Sequence, residues 1–411
     1  MIYGLLGKTL KHSFSPEIHS CFGSYKYELF EREEQEIEEL IQRKDIAGFN
    51  ITIPYKKAIM QYCDDIEENA LKIGAVNTVI KREGKVLGYN TDFYGFQYQL
   101  KRASIEVENK KVVILGDGAT SQTVEAVLSF LKAKEVLKFS RSGNRTFQEL
   151  YSHYDAEIII NCTPVGMYPH NLERIIDLKD FSRLEGVCDV VYNPHRTALL
   201  LQARELGIKH SDGLPMLVVQ AKAAAELFMD KKISEVITEK VIQKLRRKTE
   251  NIILIGMPGS GKSTLGKALA EKLSRKHIDT DSEIEKKAGK SIPAIFDSEG
   301  EEAFRKLERE VILEFGKMTG IVLSTGGGSV LDERNYLPLK QNGRIYFLNR
   351  KLEDLPIQGR PLSKGGLSSL KKMQEIRLPK YQRFSDVEIQ NGKIDESVEK
   401  ILEDFNENID H

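Results

Sequence analysis

Residues 251–264 restrict the second part of this chain to one kind of fold. The apolar run Asn251-Ile-Ile-Leu-Ile255 has the length of a buried strand, and Gly256-Met-Pro-Gly-Ser-Gly261-Lys262-Ser263 follows it at once. Leu265, Ala268 and Leu269 then recur at helical spacing. Glycines in such a loop let backbone N–H groups wrap around an anion where the helix begins. Strand, glycine-rich loop, lysine, hydroxyl residue and helix, in that order, form a phosphate-binding loop for a nucleoside triphosphate. Gly259, Ser260, Gly261, Lys262, Ser263 and Thr264 are its expected ATP contacts. Lys262 would reach the β- and γ-phosphates, and Ser263 would ligate Mg²⁺.

The chain has 411 residues, and single cores rarely grow past about 250–300 residues, so two or three domains are expected. The clearest boundary falls near residue 249, where the polar helical stretch 233–250, ending in the basic run 244–248, meets the apolar strand. Lys+Arg and Asp+Glu both number 61. Zero net charge removes any general attraction to nucleic acid or anionic membrane, so anion recognition must be local. Cys21, Cys63, Cys162 and Cys188 form no C-x-x-C pair and no metal-ligand spacing, which suits reduced thiols. No stretch approaches the roughly 18 apolar residues of a membrane span, and the N-terminal apolar run is too short for a signal peptide. A soluble, cytoplasmic protein is expected, with small-molecule partners. The sequence sets no oligomeric state.

Further features of residues 250–411 specify the phosphoryl acceptor. Asp279-x-Asp281 lies where a second strand should end, and Phe304-Arg305-x-x-Glu308 lies on a helix. Gly326-Gly327-Gly328 follows the apolar run Ile321 to Leu323; Arg360-Pro361-Leu362 and Arg377-x-x-x-Tyr381 come later. Each alone is weak, because a D-x-D is most often a solvated loop end. In this order they resemble shikimate kinase. The resemblance implies that Arg305 and Arg377 clamp the substrate carboxylate, since arginine is the planar bidentate donor. It implies that Asp281 orients the attacking hydroxyl, that Gly327 and Gly328 let backbone approach the substrate, and that Asp279 holds Mg²⁺ through water. Arg360 would be the lid arginine that contacts ATP and neutralises transition-state charge. The approach to that lid, Lys351 to Pro356, is shorter than the family's usual one.

The first part alternates strands and helices, as parallel α/β sheets require. Lys111 to Leu115, Glu157 to Asn161 and Val187 to Tyr192 read as buried strands, and Val124, Val127, Leu128 and Leu131 mark a helix. Gly116-Asp-Gly118-Ala119 after the first of these is a partial dinucleotide fingerprint. At the end of the next strand, Ser140-Arg141-Ser142 stands where an NAD enzyme usually has an acid; an arginine there suits the 2′-phosphate of NADP. The segments His12-Ser13-x-Ser15-Pro16, Gly48-x-Asn50-Ile-Thr52-Ile-Pro54-x-Lys56, Ala75-Val-Asn77-Thr78, Gly88-x-Asn90-Thr91-Asp92, Asn161-x-Thr163-Pro164-x-Gly166-Met167, Tyr192-Asn-Pro194 and Gly213-x-x-Met216-Leu-x-x-Gln220 follow in order. Together they resemble shikimate dehydrogenase over residues 1 to about 245.

That resemblance implies a catalytic pair, Lys56 and Asp92, and shikimate contacts from Ser13, Ser15, Thr52, Asn77, Tyr192 and Gln220. It places Gly116, Gly118, Ala119, Arg141, Thr163, Met167 and Gly213 along the NADP cleft. Ala119 stands where the family more often has glycine, and Asp117 precedes it, so a methyl and a carboxylate are expected to weaken cofactor binding. The implied fold is an α/β substrate domain over 1–100, completed by helices within 213–248, with a Rossmann NADP domain over 101–212 and a P-loop α/β/α kinase domain with a parallel sheet over 250–411. The two resemblances fit consecutive steps: NADPH-dependent reduction of 3-dehydroshikimate to shikimate, then ATP-dependent formation of shikimate 3-phosphate. Two alternatives stay open for the front part: action on quinate or with NAD, and a non-catalytic binding module.

Overall fold

The computed structural model describes residues 1–10, 13–355 and 366–408. His12 and the expected lid arginine, Arg360, lie outside the described residues. The chain divides into two compact units: Met1–Tyr192 with Leu199–Ile242, and Asn193–Ala198 with Gln243–His411.

The first unit holds two sheets. One is mixed and six-stranded, built from β1 (Ile2–Gly7), β2 (Lys26–Glu31), β3 (Gly48–Ile51), β4 (Asp65–Ile66), β5 (Thr78–Arg82) and β6 (Lys85–Tyr89) in the order β2-β1-β3-β5-β6-β4. β5 and β6 form an antiparallel hairpin closed by Glu83 and Gly84, both at positive φ (52° and 77°). Two positive φ values give the tight turn whose twist matches the strands. Leu6, Phe49, Ile51, Val76 and Val79 bury one face. The helix Leu214–Met229 presents Ala224 and Phe228 to Ile80 on this sheet.

The other sheet contains β7 (Lys111–Leu115), β8 (Glu135–Phe139), β9 (Ile158–Asn161), β10 (Gly186–Asp189) and β11 (Lys209–Ser211) in the order β11-β10-β9-β7-β8. All its pairings are parallel. Alternate residues of β7 serve opposite faces, as the pleat demands. Val112 and Ile114 pack with Val124, Val127 and Leu128 of the helix Ala119–Phe130; Val113 and Leu115 pack with Leu199, Leu200 and Ala203. Two covered faces explain why this strand reads as a continuous apolar run. Leu131, expected to extend that helix face, is instead the residue that caps it and is half-buried.

The second unit has one parallel sheet: β12 (Asn251–Ile255), β13 (His277–Asp279), β14 (Val322–Ser324), β15 (Gly343–Asn349) and β16 (Val387–Gln390), ordered β13-β14-β12-β15-β16. Ile252 and Leu254 pack with Leu265 and Leu269 of the helix Lys262–Leu273 and with Ile401 and Phe405. Ile253 and Ile255 pack with Ile312, Tyr381 and Phe384 on the opposite face. A fully buried Ile is worth about 1.5–3 kcal/mol, so β12 adds to the core on both of its faces. Among the described residues no helix is long and apolar enough to cross a membrane.

Candidate active sites

In the first unit, the ends of β1, β3 and β6 gather polar side chains. Asn77, 3% exposed, is the hub. Its Oδ1 accepts from Thr91 N at 2.7 Å and from Thr78 Oγ1 at 3.1 Å, and its Nδ2 donates to Thr91 Oγ1 at 3.0 Å. Thr91 precedes the helix Asp92–Arg102, so this hub fixes the start of that helix and with it the Asp92 side chain. On the other side, Val76 N donates to Lys56 O at 2.8 Å, and Ile51 N donates to Asn77 O at 2.8 Å. Lys56 Nζ then donates to Asp92 Oδ2 at 2.6 Å, with the side chains 19% and 15% exposed.

The other expected contacts lie in the same unit. Ser15 N donates to Ser13 Oγ at 3.2 Å, and the intervening Phe14 packs edge-on against Tyr192 with centroids 6.0 Å apart. Burial raises the Tyr192 phenol above its ordinary range, keeping it a neutral donor. Thr52 N donates to Leu6 O at 2.9 Å. Gln220 lies against the helix Asp92–Arg102: a Cβ on Gly95 would come 3.3 Å from Gln220 Cβ.

The parallel sheet of the same unit reverses its winding between β7 and β9, where α/β sheets open a crevice at the carboxyl ends of their strands. Gly116 has φ 113°, and a Cβ there would come 3.1 Å from the Cys162 carbonyl carbon. Backbone approach at the crevice therefore requires glycine. A Cβ on Gly118 would meet nothing within 4 Å, and the helix starting at Ala119 has no side-chain cap. Its first N–H groups thus lack a side-chain cap at the positive end of the helix dipole. Thr163, after β9, is pinned through its N and Oγ1 to Asn161 Oδ1 at 3.1 and 2.7 Å. Met167 is 45% exposed. Gly213 is required by packing, because a Cβ there would lie 2.1 Å from Val190 O.

The second unit contains a cavity of about 640 Å³ at the end of β12. Gly259, Gly261, Lys262, Ser263 and Thr264 line one part; Asp279, Asp281, Arg305, Gly327, Gly328 and Arg377 line another. Ser260 is fully buried and does not line the cavity. Lys262 Nζ donates to Gly256 O and Met257 O, both at 2.9 Å. Ser263 Oγ lies 2.5 Å from Asp279 Oδ2, which brings the two expected magnesium-side oxygens together. Asp279 also caps the helix Thr280–Ala288 through Oδ1, which accepts from Asp281 N at 3.1 Å.

Each glycine of 326–328 is packed too closely for a side chain. A Cβ on Gly326 would lie 2.6 Å from Asp281 Oδ1 and 2.8 Å from Glu308 Oε1. On Gly327 it would meet Pro258 at 2.7 Å, and on Gly328 the Arg305 guanidinium at 2.4 Å. Arg305 Nη1 donates to Glu308 Oε2 at 2.7 Å, and Arg377 Nη1 donates to Gly327 O at 2.9 Å.

Known proteins resemble both units. The family model for the shikimate dehydrogenase substrate binding domain matches residues 5–79, and that for shikimate kinase matches residues 258–406. A curated shikimate dehydrogenase (NADP(+)) of Clostridium perfringens is 34% identical over 266 residues, covering 60% of this chain and 98% of that protein. Another, from Caldicellulosiruptor bescii, is 36% identical over 256 residues, covering 55% and 88%. The crystal structure of a chorismate mutase/shikimate 5-dehydrogenase fusion protein from Clostridium acetobutylicum superposes with a TM-score of 0.57 at 35% identity, covering 59% of this chain and 96% of that one. The chain belongs to the shikimate dehydrogenase family and carries a shikimate kinase domain behind it.

The dehydrogenase half fits NADP on its own geometry: uncapped helix N–H groups at Ala119 for the pyrophosphate, and the exposed Arg141 for the 2′-phosphate. The kinase domain fits Mg-ATP through the open phosphate loop and the adjacent Ser263 and Asp279 oxygens. Its site also includes two residues to which the sequence alone gives no role. Glu308 is 1% exposed, and its Oε1 has no hydrogen-bond partner. Burial raises its carboxyl above the ordinary range, opposed by Arg305. Tyr381 donates to Gly327 O at 2.5 Å beside Arg377, and its burial pushes the phenol up to about 12. The i, i+3 spacing of Arg305 and Glu308 was the available signal for the first.

Proposed function

We propose that the chain performs two consecutive steps: reduction of 3-dehydroshikimate to shikimate with NADPH, and phosphorylation of the shikimate 3-hydroxyl with Mg-ATP. The observation that carries this reading is a shared cavity. The phosphate-loop Lys262 and the carboxylate-binding pair Arg305 and Arg377 line one space, while the other unit joins Lys56 to Asp92 at 2.6 Å.

In the dehydrogenase, bound NADPH supplies the hydride. Lys56 Nζ donates to the ketone oxygen of the substrate and gives it a proton as charge develops there. Asp92 Oδ2 holds that ammonium in place. Ser13, Ser15, Thr52, Asn77, Tyr192 and Gln220 offer neutral hydrogen bonds, which suit a polyhydroxy acid. Gly116, Gly118, Ala119, Arg141, Thr163, Met167 and Gly213 border the NADP cleft.

In the kinase, Arg305 and Arg377 bind the shikimate carboxylate, and Asp281 accepts from the attacking hydroxyl. Lys262 stabilises the transferring phosphoryl group, and Ser263 with Asp279 holds Mg²⁺. Arg360 is assigned the lid role. The protein works in the cytoplasm on small molecules, without nucleic acid or membrane partners.

Assaying oxidation of shikimate and of quinate with NADP⁺ and NAD⁺ tests the first activity. The highest kcat/KM is expected for shikimate with NADP⁺; a preference for quinate, or no turnover with any combination, would overturn it.

A further inference from the structure

One carboxylate sits at the 2′ end of the dinucleotide cleft. The turn after β7 carries Asp117, and the loop after β8 carries Arg141 and Arg145 on either side of Gly143. A Cβ built on Gly143 would lie 3.4 Å from Asp117 Oδ2 and 2.4 Å from Ser140 Oγ. The Asp117 carboxylate therefore reaches the arginine loop. That loop closes on itself, since Ser140 N donates to Arg145 O at 3.0 Å and Ser140 bridges to Thr146. Asp117, Arg141 and Arg145 are all exposed. Among the described residues none of the three is committed to an ion pair. The turn after β7 and the loop after β8 thus bring one anion and two cations to the same end of the crevice.

The two nicotinamide cofactors differ only at the ribose 2′ position. A phosphate there carries about −1.5 to −2 charges; it gains from Arg141 and is repelled by Asp117. A free 2′-hydroxyl is neutral and can donate to a carboxylate, the role an acid at the end of the second strand fills in NAD enzymes. Here the acid comes from the glycine turn, because the second strand ends in Ser140 and Arg141.

We propose that Asp117 is the residue that sets cofactor preference in this dehydrogenase: it accepts the 2′-hydroxyl of NAD(H), admits it as a second hydride carrier, and holds down the preference for NADP(H). The inference rests on the NADP reading of this cleft, with Arg141 at the 2′-phosphate. Asp117→Asn keeps the shape of an exposed side chain and removes only the charge.

The test is calorimetric titration of the full chain, wild type, D117N and R141A, with NADP⁺ and NAD⁺, paired with kcat and KM for both. Wild type binds both. D117N tightens NADP⁺ about 5–10-fold and weakens NAD⁺ about threefold or more, the scale of one exposed charge contact. Its kcat with NADP⁺ stays near wild type, so the change appears in Kd and KM. R141A weakens NADP⁺ and spares NAD⁺. A D117N ratio of NADP⁺ to NAD⁺ affinity within twofold of wild type, or no NAD⁺ binding by wild type, overturns the inference. If R141A leaves NADP⁺ binding unchanged, the underlying assignment of Arg141 fails instead, whatever D117N does.

Discussion

Lys56 Nζ lies 2.6 Å from Asp92 Oδ2, although 36 positions separate the two residues in the chain. With side chains 19% and 15% exposed, the pair is shielded yet reachable. Truncating one member of a shielded pair costs more stability than breaking an exposed one, so the fold of Lys56→Ala is to be checked beside its activity. Shikimate oxidation should fall by about 10²–10⁴, the usual contribution of positioned acid–base catalysis, while phosphorylation stays near wild type. Lys262→Ala should do the reverse. Measuring both activities on both variants decides the matter. Loss of both from either folded variant would contradict independent sites.

Glu308 anchors Arg305 at 2.7 Å and lines the same cavity as Arg377. Charge-assisted hydrogen bonds of this type are worth about 1.5–3 kcal/mol. Glu308→Gln should therefore raise the kinase KM for shikimate about tenfold or more and leave the KM for ATP within about twofold. Equal rises in both constants would make Glu308 a fold residue rather than a positioning residue for the carboxylate clamp.

Gly328→Ala places a methyl carbon 2.4 Å from the Arg305 guanidinium. Arg305 must move, so the kinase should lose shikimate affinity while the dehydrogenase keeps its rate. An unchanged KM for shikimate would show that Arg305 has slack there.

The sheets were legible because β7 and β12 are apolar on both faces and end in glycine turns whose chemistry is local. The phosphate loop is readable from its own local spacing, whereas Arg305, Arg377 and Lys56 stand in runs that are weak alone and gain their proposed roles only from the order in which the runs follow one another. The hub at Asn77 was not: its bonds to Thr91 and the Asn50–Thr78 bond join residues 14 and 28 apart, and no local pattern records such pairings. Backbone approach to substrate is one reason for the triple glycine. The structure adds a second reason, since Asp281, Glu308, Pro258 and Arg305 occupy the space where side chains would be. The sequence alone places the Asp117 carboxylate in the glycine turn; that it approaches Gly143 in the loop after β8 is visible only in the structure.

His19 gives the first unit a pH dependence. Its ring stacks on Tyr27 at 4.1 Å, its Nδ1 lies 2.6 Å from Tyr25 Oη, and burial holds it well below its ordinary 6.5, at about 3. Between those values the folded state binds fewer protons than the unfolded chain, so stability falls as pH falls from 6.5 toward 3. The slope is about 1.4 kcal/mol per pH unit. His19→Phe, which keeps the stacking, should flatten that slope. Urea unfolding at pH 7 and pH 5, following the transition that shikimate and NADP⁺ shift, measures it. An equal pH 7-to-5 loss in wild type and variant would contradict the assignment.

The most direct measurement is product analysis of the purified chain supplied with 3-dehydroshikimate, NADPH and Mg-ATP. Shikimate 3-phosphate should accumulate, with one NADPH oxidised for each phosphate transferred. Omitting ATP should stop the reaction at shikimate, and omitting NADPH should stop it entirely. Phosphorylation of added shikimate without any reduction of 3-dehydroshikimate would contradict the account, because the first unit would then be a binding module and not a dehydrogenase.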